Sequence, residues 1–166
     1  MGVAITTAGV IVGYAVGSLG TKPTTFTEIP DIKSTPDFNV EDSGIDCTVL
    51  SETVAKQYTQ GLKDYGSSIE FTANLTKRII TVWNKFYKDV KTAQDATSAT
   101  GNECGWIAIH HPKLGQDVIL PCTPSALGLP AMEVDSVVEE TLRVTPLAGA
   151  EFVETVTITP DTGSDG

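Results

Sequence analysis

The sequence predicts a mainly β fold: a β-sandwich or barrel-like body with one flanking amphipathic α-helix at about residues 76–93 and long loops. Three observations carry that expectation. β-Branched or strictly alternating runs recur between Gly, Pro and Asp punctuation, which is strand and turn chemistry. Only one stretch shows the three-four spacing of a helix face. Strands and helices do not alternate, so the chain holds no βαβ series and no doubly wound parallel sheet is expected.

Taken in order, residues 9–16 read Gly-Val-Ile-Val-Gly-Tyr-Ala-Val and are closed by Gly17 and Gly20, which predicts a first strand. Residues 24–29, Thr-rich around Phe26 and stopped by Pro30, predict a second. Residues 30–44 carry Pro30, Pro36, Gly44 and four acids and read as loop. Residues 45–50 set Ile45, Cys47 and Val49 on one side and predict a short strand, whereas residues 51–65 are polar and without period. In residues 68–75, Ile69, Phe71, Ala73 and Leu75 alternate with Ser68, Glu70, Thr72 and Asn74, the pattern of a half-buried strand.

The period then changes. Ile79, Ile80, Trp83, Phe86, Tyr87 and Val90 recur at spacings of mostly three and four and define a helix face expected to form the helix–sheet core. Thr76 is placed to cap the helix start, and residues 99–101 lie beyond its end. Lys77, Arg78, Lys85, Lys88 and Lys91 against Asp89 give this stretch +4 in a chain of −10, so charge is segregated by element. Trp106-Ile107-Ala108-Ile109 and Val118-Ile119-Leu120, stopped by Pro112 and Pro121 around a turn at Gly115, predict a hairpin. Residues 123–131 read as loop. Residues 132–144 put Met132, Val134, Val138, Leu142 and Val144 on one face and predict a long strand. Residues 152–159 predict a last one, before a polar tail at 161–166.

With 166 residues, one domain over 1–160 is expected. Eleven basic against 21 acidic residues and a pI near 4.5 exclude binding of nucleic-acid phosphates over the whole surface. No apolar run approaches the ~20 residues that span a bilayer, and Val10-Ile11-Val12 is broken by Gly13 and Gly17 with no Lys or Arg before it, so no membrane contact and no cleaved signal peptide are expected. Cys47, Cys104 and Cys122 are odd in number and widely spaced, which fits small buried hydrophobes better than disulfides or a zinc site.

Chemistry-bearing motifs are sparse. Asp161-Thr162-Gly163-Ser164 spells an aspartic-protease signature, but two residues follow it, too few to pack that turn. His110 and His111 are neighbours on a strand and point to opposite faces, so they do not easily bind one ion together. The acids of residues 37–52 lack calcium-loop spacing, and no phosphate loop or nucleophile elbow is present. No cofactor, metal or catalytic residue is expected.

The block from Gln60 to Leu75 carries Gly61, Leu62, Asp64, Gly66, Glu70 and Phe71, and is followed by a helix with Trp83. This turn-strand-helix block resembles the major tail proteins, or tail tube proteins, of long-tailed (siphovirus-type) phages infecting Gram-positive bacteria. Ile29-Pro30-Asp31-Ile32 and a closing hairpin from residues 141–145 to 156–159 agree with it, and the resemblance runs over residues 25–160. It implies a virion protein of the tail, assembled in the host cytoplasm. Hexameric rings of it would stack into a hollow tube for DNA delivery. Tape-measure protein and tail-terminator or tip proteins are the implied partners, and DNA transits the lumen without specific binding. The resemblance places an inter-ring loop at residues 37–65, here Asp37, Glu41, Asp42, Glu52, Tyr58, Gly61 and Asp64. Two other classes remain open from the residues alone: a non-catalytic soluble β-sandwich binding module, and a hydrolase using His110 or His111.

Overall fold

In a computed structural model of the chain, residues 8–38, 44–51, 55, 58–60 and 68–161 are described. They form β1 (Ile11–Ser18), β2 (Thr25–Glu28), β3 (Ile32–Ser34), β4 (Gly44–Asp46), β5 (Tyr58–Gln60), β6 (Ile69–Asn74), α1 (Lys77–Asp95), β7 (Glu103–His110), β8 (Asp117–Pro124), β9 (Glu139–Pro146), β10 (Glu151–Val153) and β11 (Thr157–Thr159). The class is mainly β and barrel-like. Nine strands make one curled sheet in the order β11-β2-β1-β7-β8-β9-β6-β3, with β10 paired to β8, while β4 and β5 form a separate hairpin.

Chain geometry forces the curl. Along β10-β8-β7-β1-β2-β11 a flat sheet would hold β10 and β11 about 24 Å apart, five strand spacings. Residues 154–156 alone connect them, and the four steps from Val153 to Thr157 reach at most about 14 Å. The sheet therefore bends until its two flanks approach. Phe26, Cys104, Trp106, Ala108 and Ile119 fill one face, with Val153, Val156 and Ile158 of the C-terminal segment packed against them. Gly13 belongs to this crowding: a Cβ there would stand 3.0 Å from Phe26 Cβ and 3.2 Å from Ile158 Cγ2.

The opposite face carries the larger core, built from Val12, Tyr14, Phe71, Ile107, Leu142 and Val144 together with the helix residues Ile79, Trp83, Phe86 and Val90. The even–odd register explains the division. Ile69, Phe71 and Ala73 pair with Val144, Leu142 and Glu140 on one face, while Trp106 and Ala108 point away from the face of Ile107. Thr76 caps α1, its Oγ1 accepting from Ile79 N at 3.3 Å and donating to Asp31 Oδ2 at 2.6 Å.

Gly105 is where helix meets sheet. A Cβ there would lie 2.6 Å from Phe86 Cε2 and Cζ and 3.1 Å from Val90 Cγ2, so the ring rests on bare backbone. Gly105→Ala is expected to cost about 1–3 kcal/mol by overpacking. Adding Phe86→Leu to Gly105→Ala should cost less than the two single changes summed. Additive losses in thermal melts would mean that the ring and Gly105 are not coupled.

Several sequence expectations are corrected. The strand expected over 132–144 begins only at Glu139, and Met132, Val134 and Val137 are exposed. Its partner β6 ends at Asn74 opposite Glu139, and Leu75 N closes the pairing on Val138 O, so earlier residues have no ladder to join. Asp135 adds a positive φ of 62°, which breaks extension. The strand expected over 152–159 is split: β10 pairs with β8 and β11 runs parallel to β2. The hairpin between residues 141–145 and 156–159 is therefore absent, and β9 pairs with β6 and β8 instead.

The loop expected at 30–44 contains β3, whose partner is β6. Residues 51–65, read as aperiodic, contain β5. Residues 47–50 lie outside β4, leaving Leu50 exposed, and Cys47 is exposed instead of buried. Pro121, expected to stop its strand, sits inside β8. Its carbonyl accepts from Leu147 N, and the amide of the same residue faces the same edge. The missing N–H thus falls where β10 hands over to β9, not on the β7 ladder.

Candidate functional site

Of the helix-face residues, Ile79, Trp83, Phe86 and Val90 are buried, Tyr87 is half-buried, and Ile80 is 38% exposed. Val82, unmarked by the spacing argument, is buried in place of Ile80. The helix turns by 100° per residue, so 79, 82, 83, 86 and 90 make a narrower stripe that excludes 80. Trp83 meets Phe86 edge-on at 5.5 Å between centroids, and Tyr14 meets Phe86 at 4.8 Å. Trp83 Nε1 donates to Ser125 O at 2.9 Å, so the indole is satisfied while buried.

The solvent side of α1 carries the positive charge. Lys85 Nζ donates to Asp89 Oδ2 at 2.7 Å, a bond that raises the ammonium above its ordinary range, and Arg78 reaches Asp161. Lys88 and Lys91 are exposed and line a shallow depression with Asn84, Tyr87, Thr92 and Asp95. Lys91 Nζ stands 5.9 Å from the Tyr87 ring centroid.

Among the proposed inter-ring residues, Asp37 is exposed and Tyr58 opens β5, which pairs with Asp46 of β4. Glu41, Asp42, Glu52, Gly61 and Asp64 lie outside the described residues, as does all of the Gly61–Gly66 stretch. Val49 and Leu50 expose apolar side chains beside the β4–β5 hairpin.

Two features escaped the sequence reading. The first is an arm, residues 125–138, which exposes Leu129, Met132, Val134 and Val137. Residues 123–131 read as loop, and the signal that the loop continues is Asp135-Ser136, turn chemistry inside the run 132–144 that reads as period two. The second is a buried carboxylate. Asp117 is 1% exposed, with Oδ1 at 2.6 Å from His110 Nδ1 and Oδ2 accepting from Val156 N at 2.8 Å. It ties the β7–β8 hairpin to the crossing segment between β10 and β11, a latch that no local pattern could announce.

His111 is buried separately and its Nδ1 accepts from Lys113 N at 3.1 Å. Cys104 and Cys122 belong to cores on opposite faces, and burial pushes both thiols up. Among the described residues no three His, Cys, Asp or Glu side chains gather as a metal site. No described helix is long and apolar enough to cross a membrane.

No family model matches the sequence, and no curated protein does. Solved structures do match in fold. One is a chain of the anti-feeding prophage (AFP) baseplate, determined by cryo-EM with 6-fold symmetry: TM-score 0.57, 12% identity, covering 93% of this chain and 98% of that one. Another is a chain from the tail of an empty GTA particle refined helically with C6 symmetry: TM-score 0.57, 14% identity, covering 90% and 99%. The fold, end to end, is similar to that of subunits in tail and baseplate assemblies.

Proposed function

We propose that this chain is a structural subunit of a phage-type tail that assembles into hexameric rings, stacked into a hollow tube through which DNA passes. The observation that carries the reading is the near full-length fold similarity to subunits of two sixfold assemblies, 93% of this chain against 98% of one and 90% against 99% of the other. The protein would reside in the virion tail after assembly in the host cytoplasm, with tape-measure and terminator or tip proteins as partners. β11 and β3 end the sheet path, and β3 is short, irregular in register and carries Lys33 paired with Glu139, so that edge is guarded against indiscriminate pairing and association is left to specific contacts.

Two surfaces have separate duties in this reading. Lateral contacts close the ring, and the 37–65 segment reaches the next ring. Purified protein is expected to form rings and, at higher concentration, stacked tubes visible by electron microscopy. Added salt is expected to strengthen assembly, because a −10 subunit repeated around a ring is a like-charge load that salt screens. Replacing residues 51–60 with a Gly/Ser linker is expected to leave a cooperatively folded subunit that forms no tubes. Tubes of normal length from that variant would remove the inter-ring role, and a strict monomer from the unaltered protein at every concentration would remove the tail reading itself.

A further inference from the structure

We infer that the 125–138 arm of one subunit docks on the Tyr87-Lys88-Lys91 face of α1 in a second copy and forms a lateral contact of the ring, an inference that rests on the proposed self-assembly.

The arm is the part of the described fold most at odds with water. Residues 131–137 are all exposed, with Met132 at 60%, Val134 at 91% and Val137 at 73%, while Leu129 before them is 77% exposed. A run of apolar side chains of this kind on one protruding segment marks a contact surface. Its ends are held firmly: Ser125 N donates to Arg143 O and Leu75 N to Val138 O, both at 2.9 Å, and Ser125 O accepts from Trp83 Nε1. The segment is thus presented by the body at two anchored ends: Leu127 near its start packs on the main core, and residues 131–137 stay exposed.

Charge selects the occupant. The arm bears Glu133 and Asp135 and no basic residue. The outer face of α1 is the one strongly basic element of an acidic chain, and Lys88 makes no ion pair among the described residues. Beside it Tyr87 offers a half-buried ring and the stems of Lys88 and Lys91 offer apolar surface, a floor that suits Met132 and Val134. In one subunit the arm leaves beside Trp83, about 12 Å along the helix from Lys91, and stays exposed, so the two surfaces are separate. Separate complementary patches make a heterologous, head-to-tail contact, the kind that closes rings. Apolar burial supplies the adhesion and the charges set register and partner choice, so the contact is compatible with assembly that strengthens in salt.

The test is charge exchange, read by sedimentation and microscopy at low salt. Glu133→Lys with Asp135→Asn, the second chosen to keep the positive φ, is expected to lower assembled protein tenfold or more with an unchanged melting temperature. Lys88→Glu with Lys91→Glu is expected to do the same, and a chain carrying all four changes is expected to regain assembly. As a second measurement, Met132→Cys and Lys91→Cys proteins, both with Cys47→Ser, are mixed and oxidised; a disulfide-linked dimer forming in the mixture and in neither protein alone supports the contact. Rings of normal yield from both charge variants, or no cross-link in a mixture that still forms rings, would overturn this contact and leave the tail reading standing. An unaltered protein that never assembles would overturn both.

Discussion

Trp83→Ala and Phe86→Ala are each expected to destabilise the fold by about 3–5 kcal/mol. Both side chains are fully buried, 1% and 0% exposed, and both sit where α1 meets the sheet. Removing either empties a fully buried site, and beside Phe86 the sheet offers only the backbone of Gly105 to fill it. Trp83→Ala also strips Ser125 O of its donor and loosens the root of the arm. At about 2–4 °C per kcal/mol for a chain of this size, the melting temperature should fall by roughly 10 °C. Shifts near zero for both variants would mean that this helix face is not the core of the subunit.

The second large effect belongs to Asp117. Asp117→Ala is expected to cost about 2–4 kcal/mol, because it leaves the Val156 amide without its acceptor and His110 Nδ1 without its partner. The damage should be local in character. The crossing segment at 154–156 is held to the β7–β8 hairpin by this carboxylate, so β10 and β11 should exchange amide protons and admit protease before the rest of the sheet does. Asp117→Asn retains an acceptor oxygen for one of the two bonds and should lose less. Equal stability of Asp117→Ala and the unaltered protein, with unchanged exchange at Val156 and Ile158, would show that packing alone holds the strap.

Local chemistry was enough for much of this molecule. The alternation of Ile69, Phe71 and Ala73 placed β6, because a half-buried strand shows its period directly. Thr76 and the spacing of Ile79, Trp83, Phe86 and Val90 placed α1 within two residues at its far end, since capping and amphipathicity act over a few residues. The mainly β class followed from the same signals. Segregated charge was equally legible: a basic helix in an acidic chain is a property of composition along the sequence.

Pairing decided what remained. Met132, Val134 and Val138 share one face of a run read as strand, yet β6 stops at Asn74 and the residues before Glu139 become an exposed arm. Residues 152–159 alternate too, yet the curl of the sheet sends β10 to β8 and β11 to β2. Pro121 reads as a stop and lies inside β8, because its missing amide falls at a change of partner. Asp117 belongs to no sequence motif, and tertiary structure buries it against His110 and Val156. A strand's backbone groups are satisfied only by another strand, and a buried carboxylate only by donors brought from elsewhere in the chain. By itself the sequence determined the class, the helix and the distribution of charge; the partners of each strand, and with them the arm and the latch, were settled only where distant segments met.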